Sequence, residues 1–127
     1  MLCIGVGRAD EKLDAAVKRL GSVSTFALGG VGFAGVISDG EIDFKFVLSQ
    51  SMPIALATFE TLFATGNLQA KAYALAGIKR LRPDRYRTLL ATILATTNEV
   101  EVMRGCVMMH EPFRELAKEI DEGKFRL

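Results

Sequence analysis

The residues best suited to nucleophilic chemistry are Cys106 and His110, which lie four positions apart, with Glu111 beside the histidine. A thiolate next to an imidazole is a nucleophilic arrangement, but this spacing brings the two together only on a helix. Gly105 and the β-branched residues near it disfavour a helix, and no third residue is positioned to orient the imidazole. Two cysteines and one histidine also supply too few ligands for a zinc site. We therefore predict no catalytic residue, no metal and no cofactor.

A second candidate is the segment FALGGVGFAG at residues 26–35, which contains a literal G-x-G-x-x-G: Gly30, Gly32 and Gly35. In a dinucleotide fold this motif follows a strand and opens a helix, whose N-terminus binds the pyrophosphate. Here the first helix-start signal, Ser38, comes three residues after the last glycine. No acidic residue ends a second strand downstream of the motif. We expect the glycines to permit positive φ or close backbone packing, with the large apolar residues of the segment against the helices: Phe26, Leu28 and Phe33.

The most distinctive charged feature is the sequence KRLRPDRYR at residues 79–87, called here the basic cluster. Its five cations surround one carboxylate and one aromatic residue: Lys79, Arg80, Arg82, Arg85 and Arg87, with Asp84 and Tyr86. Such a cluster at the junction of two helices suits phosphate or an acidic partner. The tyrosine would serve single-stranded nucleic acid as a stacking surface, although one aromatic residue is little evidence. Cations at a helix C-terminus also complement its dipole, and the five acids of residues 111–122 provide partners within the chain.

Periodicity and capping signals predict a mainly α fold, a compact bundle of five or six helices with one glycine-rich extended segment. The capping-box spacing of Ser38 and Glu41, and the i,i+4 pair with Lys45, favour a helix over 38–50; alternating apolar residues and Asp39-Gly40 leave a hairpin open. Residues 99–109 have an extended pattern. The alternative fold is therefore α+β, with a small sheet from 22–37 and 99–109. The predicted helices are 10–20, 38–50, 53–65, 68–82, 83–97 and 112–122.

Length and composition predict a single globular domain over residues 1–127. The net charge of +1 gives no general attraction to nucleic acid or to anionic membrane. The apolar runs are shorter than the roughly 18 residues needed to cross a bilayer, so we expect no membrane insertion. The N-terminus lacks a basic region and a full apolar core, so we predict a cytoplasmic protein with free thiols at Cys3 and Cys106. The alternative is a periplasmic or secreted form, processed at its N-terminus, with a disulfide between them.

Residues 53–96 resemble HEAT-like helical hairpins, because helix, tight turn and helix alternate and Pro53 and Pro83 occupy equivalent helix starts. The stretches FALGGVGFAG, KAYALAGIKRL and GCVMM together also look like a family of small uncharacterised bacterial proteins, some with microcin-associated names. This resemblance implies a bacterial source and a compact helical domain, and it brings no catalytic residue.

From these features we predict a non-enzymatic protein-binding module, in concrete form a bacterial immunity or adaptor protein. Its partner would present an acidic surface to the basic cluster, with Lys79, Arg80, Arg82, Arg85, Tyr86 and Arg87 in contact. One alternative is a small-ligand binder or enzyme that uses segment 26–37 as a backbone cradle. Its ligand-binding residues would be Gly30, Gly32, Gly35, Cys106 and His110. A second alternative is a nucleic-acid binder acting through the basic cluster, although we do not expect nucleic acid to be the partner.

Overall fold

A computed structural model describes residues 7–28, 37–104 and 107–125 of the chain. The described part contains six helices and one two-stranded sheet, which confirms the mainly α prediction. The helices are α1 (Gly7–Gly21), α2 (Asp39–Leu48), α3 (Met52–Thr65), α4 (Leu68–Leu81), α5 (Pro83–Leu94) and α6 (Phe113–Asp121). The strands are β1 (Glu99–Arg104) and β2 (Val107–Pro112). All the helices and β1 contribute to one hydrophobic core, which has α4 at its centre.

The helix predicted for residues 38–50 is confirmed, and the hairpin alternative there is wrong. The Ser38 hydroxyl accepts a hydrogen bond from the Glu41 backbone N–H at 3.1 Å, which caps the first turn of α2. Lys45 Nζ lies 3.0 Å from the Glu41 carboxylate, one turn earlier. The helix buries Phe44 and leaves Ile42 exposed, so the alternation of apolar residues did not reflect their burial.

Local signals place the ends of α3 and α4. Pro53 lies in the first turn of α3, where its missing N–H has no cost, and Gly66 ends that helix. Asn67 caps α4 by accepting a hydrogen bond from the Ala70 N–H at 2.8 Å. The two helices pack closely because Gly77 has no side chain. A Cβ added there would lie 2.5 Å from the buried ring of Phe59.

The sheet is an antiparallel hairpin in which Glu99 pairs with Pro112 and Arg104 pairs with Val107. The described part of the predicted segment, residues 99–104 and 107–109, is thus extended as predicted, and the second strand continues to residue 112. The predicted contribution of segment 22–37 to a sheet is, within the described residues, a single parallel bridge between Phe26 and Val102. The terminal helix consequently begins one residue later than predicted, because Pro112 belongs to β2.

The start of the glycine-rich segment is held between β1 and α4. On one side, Phe26 exchanges two backbone hydrogen bonds with β1, at 2.8 and 3.0 Å. On the other side, the Tyr73 hydroxyl accepts from the Ala27 N–H and donates to the Ala27 carbonyl, both at 3.0 Å. One buried hydroxyl thus acts toward Ala27 as a neighbouring strand would. Phe26 and Leu28 are buried as expected, and Phe33 lies outside the described residues.

Candidate functional site at the basic cluster

The basic cluster lies at the junction of α4 and α5, where its side chains diverge toward different elements. Lys79, in the last turn of α4, donates to two backbone carbonyls at the C-terminus of α6, those of Ile120 at 2.5 Å and Asp121 at 3.0 Å. Those carbonyls carry the negative end of the α6 dipole, and that of Ile120 also accepts from the Gly123 N–H at 3.1 Å. Lys79 therefore fixes α6 against α4, which limits its use by an external partner.

Tyr86 is only 3 % exposed, and its hydroxyl donates to Asp121 Oδ1 at 2.9 Å. Burial, and then the neighbouring carboxylate, raise the pKa of Tyr86 well above its usual range. Because the ring is enclosed, it offers no face on which a base could stack. The aromatic support for nucleic-acid binding is therefore missing at this position.

Arg82 and Arg85 each form a bidentate ion pair at the surface. Arg82 donates to Asp84 at 3.1 and 2.9 Å, and this hydrogen bonding lowers the pKa of Asp84 to about 2. Arg85 donates to Glu60 of α3 at 2.8 and 2.9 Å. Solvent screens surface pairs of this kind, so they contribute little to stability and orient the guanidinium groups without removing them from reach of a partner.

Arg80 and Arg87 are exposed and form no ion pair or hydrogen bond with any residue in the described ranges. Arg80 stands at the rim of a cleft of about 350 Å³ between the C-terminal ends of α4 and α6. The cleft, called here the α4–α6 cleft, is lined by Ala76, Lys79, Arg80, Ile120, Gly123 and Phe125. A shallower depression of about 320 Å³, beside Lys45 and Leu48 of α2, shares Arg80 with it. This arginine thus projects between two depressions with partly apolar walls.

The charges at this corner do not cancel among the described residues. Three carboxylates contact the basic cluster, those of Glu60, Asp84 and Asp121. Because the cluster holds five cations, it keeps a net positive charge. The cluster residues that remain accessible are the four arginines, whereas the lysine and the tyrosine hold α6.

The alternative ligand site falls mostly outside the described residues. Five of the residues considered above lie outside the described ranges: Cys3, Cys106 and the three glycines of the motif, Gly30, Gly32 and Gly35. His110 lies in β2, where its side chain is exposed and its Nε2 is 3.6 Å from Glu101 Oε1. Within the described ranges, no three His, Cys, Asp or Glu residues come together as a metal site would require.

Two features of this corner were not foreseen from the sequence. Glu60 lies 25 residues before Arg85, and no spacing rule connects two helices at that separation. The α4–α6 cleft requires the C-terminal end of α6 to lie beside Ala76. The one available signal for this contact was the small side chain of Ala76, which permits another element to approach α4 closely. It does not identify which element that is.

The class of protein that the structure defines is a small helical domain with a β-hairpin, which presents a basic surface. Comparison of the chain with protein-family models, curated proteins and solved structures finds no match. No helix among the described residues has the length and apolar character needed to span a bilayer.

Proposed function

We propose that this protein is a non-enzymatic protein-binding module whose partner carries an acidic, partly apolar surface. The observation that supports this most strongly is Arg80, which is exposed, has no partner among the described residues and stands at the rim of the α4–α6 cleft. The cleft offers space for an apolar side chain, while the arginine attracts a carboxylate beside it. An immunity or adaptor role in a bacterial cell is the concrete form of this proposal.

The other arginines extend the same surface. Arg82 and Arg85 are held at the surface by carboxylates, and a partner's carboxylate can join or replace these in a guanidinium fork. Arg87 adds a further exposed cation on α5, which has no partner among the residues that the structure describes. Charges at the rim of an interface mainly raise the association rate and select the partner, so we expect binding that weakens with salt.

The test compares charge reversal at Arg80 with charge reversal at Lys18. Lys18 is a suitable control because it is exposed on α1, which packs against α2 and α3, and its amine has no partner in the described ranges. Immobilised wild type, Arg80→Glu and Lys18→Glu are incubated with nuclease-treated extract of the source cells, and bound proteins are quantified by mass spectrometry. We expect a protein bound by wild type and Lys18→Glu, and bound roughly tenfold less by Arg80→Glu.

Several results would contradict the proposal. Equal capture by the two variants would place the partner elsewhere on the surface, and no specific capture by wild type would remove the binding function altogether. Capture that is seen in a parallel sample of untreated extract and is absent from the nuclease-treated extract would favour the second alternative. A fluorescent acidic peptide with one leucine, titrated at two ionic strengths, tests the chemistry directly. It should bind wild type more tightly than the same peptide with serine in place of leucine.

A further inference from the structure

The outer edge of β2 carries backbone groups that no described residue pairs with. The hydrogen bonds to Phe26 use the Glu101 carbonyl and the Met103 N–H, so these two residues direct their polar groups away from β2. Because successive residues of a strand alternate, Val102 faces β2 and its opposite residue Met109 faces β1. Met108 and His110 must then direct their N–H and carbonyl groups outward.

The side chains along this edge are unusually apolar for an exposed strand. Val107, Met108 and Met109 are 58 %, 48 % and 42 % exposed. Natural edge strands are commonly protected from pairing by lysines, bulges or covering elements. Here, β2 has no lysine, and no described element covers its outer side. Pro112 removes one outward donor, which limits pairing to the residues before it.

We propose that β2 pairs with β2 of a second copy of this chain, antiparallel and about a two-fold axis at Met109, to give a four-stranded sheet. In this register Met108 lies opposite His110 of the second copy, and His110 lies opposite Met108 of the second copy. Both residues direct their backbone groups outward, so the two pairs exchange four hydrogen bonds across the axis. The interaction is independent of the basic cluster.

The side chains fit this register as well as the backbone does. Met109 lies opposite Met109 of the second copy in a close, non-hydrogen-bonded pair. Its side chain lies on the same face of the sheet as the buried side chain of Val102 and continues that row. Val107 lies opposite Glu111, so that no two like charges face each other. A register centred on His110 would place two imidazoles together and would set Pro112 against Met108, with the loss of a donor. The side chains of β2 therefore favour a two-fold axis at Met109 over one at His110.

The interface is short compared with the roughly 800 Å² per partner of a standard complex, so we expect a reversible dimer. Sedimentation equilibrium of the wild type, from low to high micromolar concentration, should show a mass that rises toward that of two chains. Met109→Lys places two like charges opposite each other and should raise the dimer dissociation constant roughly tenfold. Met52→Lys is the matched control, because Met52 is 50 % exposed at the start of α3. It should leave the dissociation constant unchanged.

Cysteine cross-linking tests the register itself, in a background with Cys3→Ser and Cys106→Ser. Cα atoms of a non-hydrogen-bonded pair lie about 4.5 Å apart, within the range that a disulfide spans. Met109→Cys should therefore form a covalent dimer on mild oxidation, and much faster than Met108→Cys, whose two copies are offset along the strand. Circular dichroism of each variant confirms that it is folded. A wild type that stays monomeric at high concentration, or a dimer unaffected by Met109→Lys, would overturn the proposal. Equal cross-linking at the two positions would overturn the register.

Discussion

Replacing Tyr73 with phenylalanine removes one hydroxyl from the centre of the fold and changes little else. The side chain is fully buried, and its ring also packs against Phe26 and Phe44 at centroid distances of 4.8 and 5.7 Å. These ring contacts are retained in phenylalanine. The hydroxyl is lost, and with it both hydrogen bonds to Ala27.

Loss of the two hydrogen bonds affects the carbonyl and the N–H of Ala27 differently. The Ala27 carbonyl keeps a second donor, the Ser38 hydroxyl at 3.0 Å. The Ala27 N–H has no other partner among the described residues and is buried. A buried donor left unpaired costs about 1–3 kcal/mol, whereas an ordinary hydrogen bond contributes about 1 kcal/mol. We therefore expect Tyr73→Phe to lower the free energy of unfolding by about 1.5–3 kcal/mol.

Urea unfolding followed by circular dichroism measures this loss, and Tyr86→Phe is the matched control. The hydroxyl of Tyr86 donates to Asp121, which is exposed and can bond to water instead. We expect the control to lose less than about 1 kcal/mol. Amide exchange at Ala27 should also accelerate in Tyr73→Phe relative to wild type. If both variants lose equally little, or if Ala27 stays protected, the hydroxyl does not hold the segment as we argue.

Two further predictions concern the core and its response to pH. Gly77→Ala should destabilise the fold by about 1–2 kcal/mol in the same urea assay, because the clash with Phe59 exceeds the gain in helix propensity. Gly21→Ala, whose added Cβ would meet only Leu62 at 3.9 Å, should be near neutral, and equal losses at the two positions would contradict the packing argument. The pKa of each of the two tyrosines is raised in the folded state. Their contribution to stability is complete below the ordinary pKa of 10.0 and is lost as pH rises above it. The phenolate absorbance should therefore appear together with alkaline unfolding, and titration within the intact fold would refute this.

The helices were predictable because their signals are local. The Ser38 cap and the first-turn prolines act within three or four residues, the range of helical hydrogen bonds. The errors lie at the ends. The helix predicted for 83–97 ends at Leu94, and α1 begins three residues earlier than predicted, at Gly7. Helix ends fray and carry weak signals, so such differences are expected.

The candidate site was only partly predictable. The sequence identified a dense basic cluster and raised the possibility that the acids of residues 111–122 neutralise it. In the structure that helix meets the cluster mainly through its C-terminal carbonyls and Asp121, while Glu60 comes from α3. Charge spacing along the chain says nothing about contacts between residues 25 to 42 positions apart.

By itself, the sequence determined the helical class, the order of the elements and the presence of a basic junction between two helices. These follow from periodicity, capping and composition, which act at short range. The tertiary structure alone decided that Tyr73 would bond to Ala27, that Tyr86 would be buried and that Arg80 would border a cleft. It also decided that, among the described residues, no strand lies beside the outer edge of β2, because the bridge to Phe26 is on the β1 side of the hairpin. Each of these outcomes depends on which distant elements come together, and that is set by how α4 packs among its neighbours.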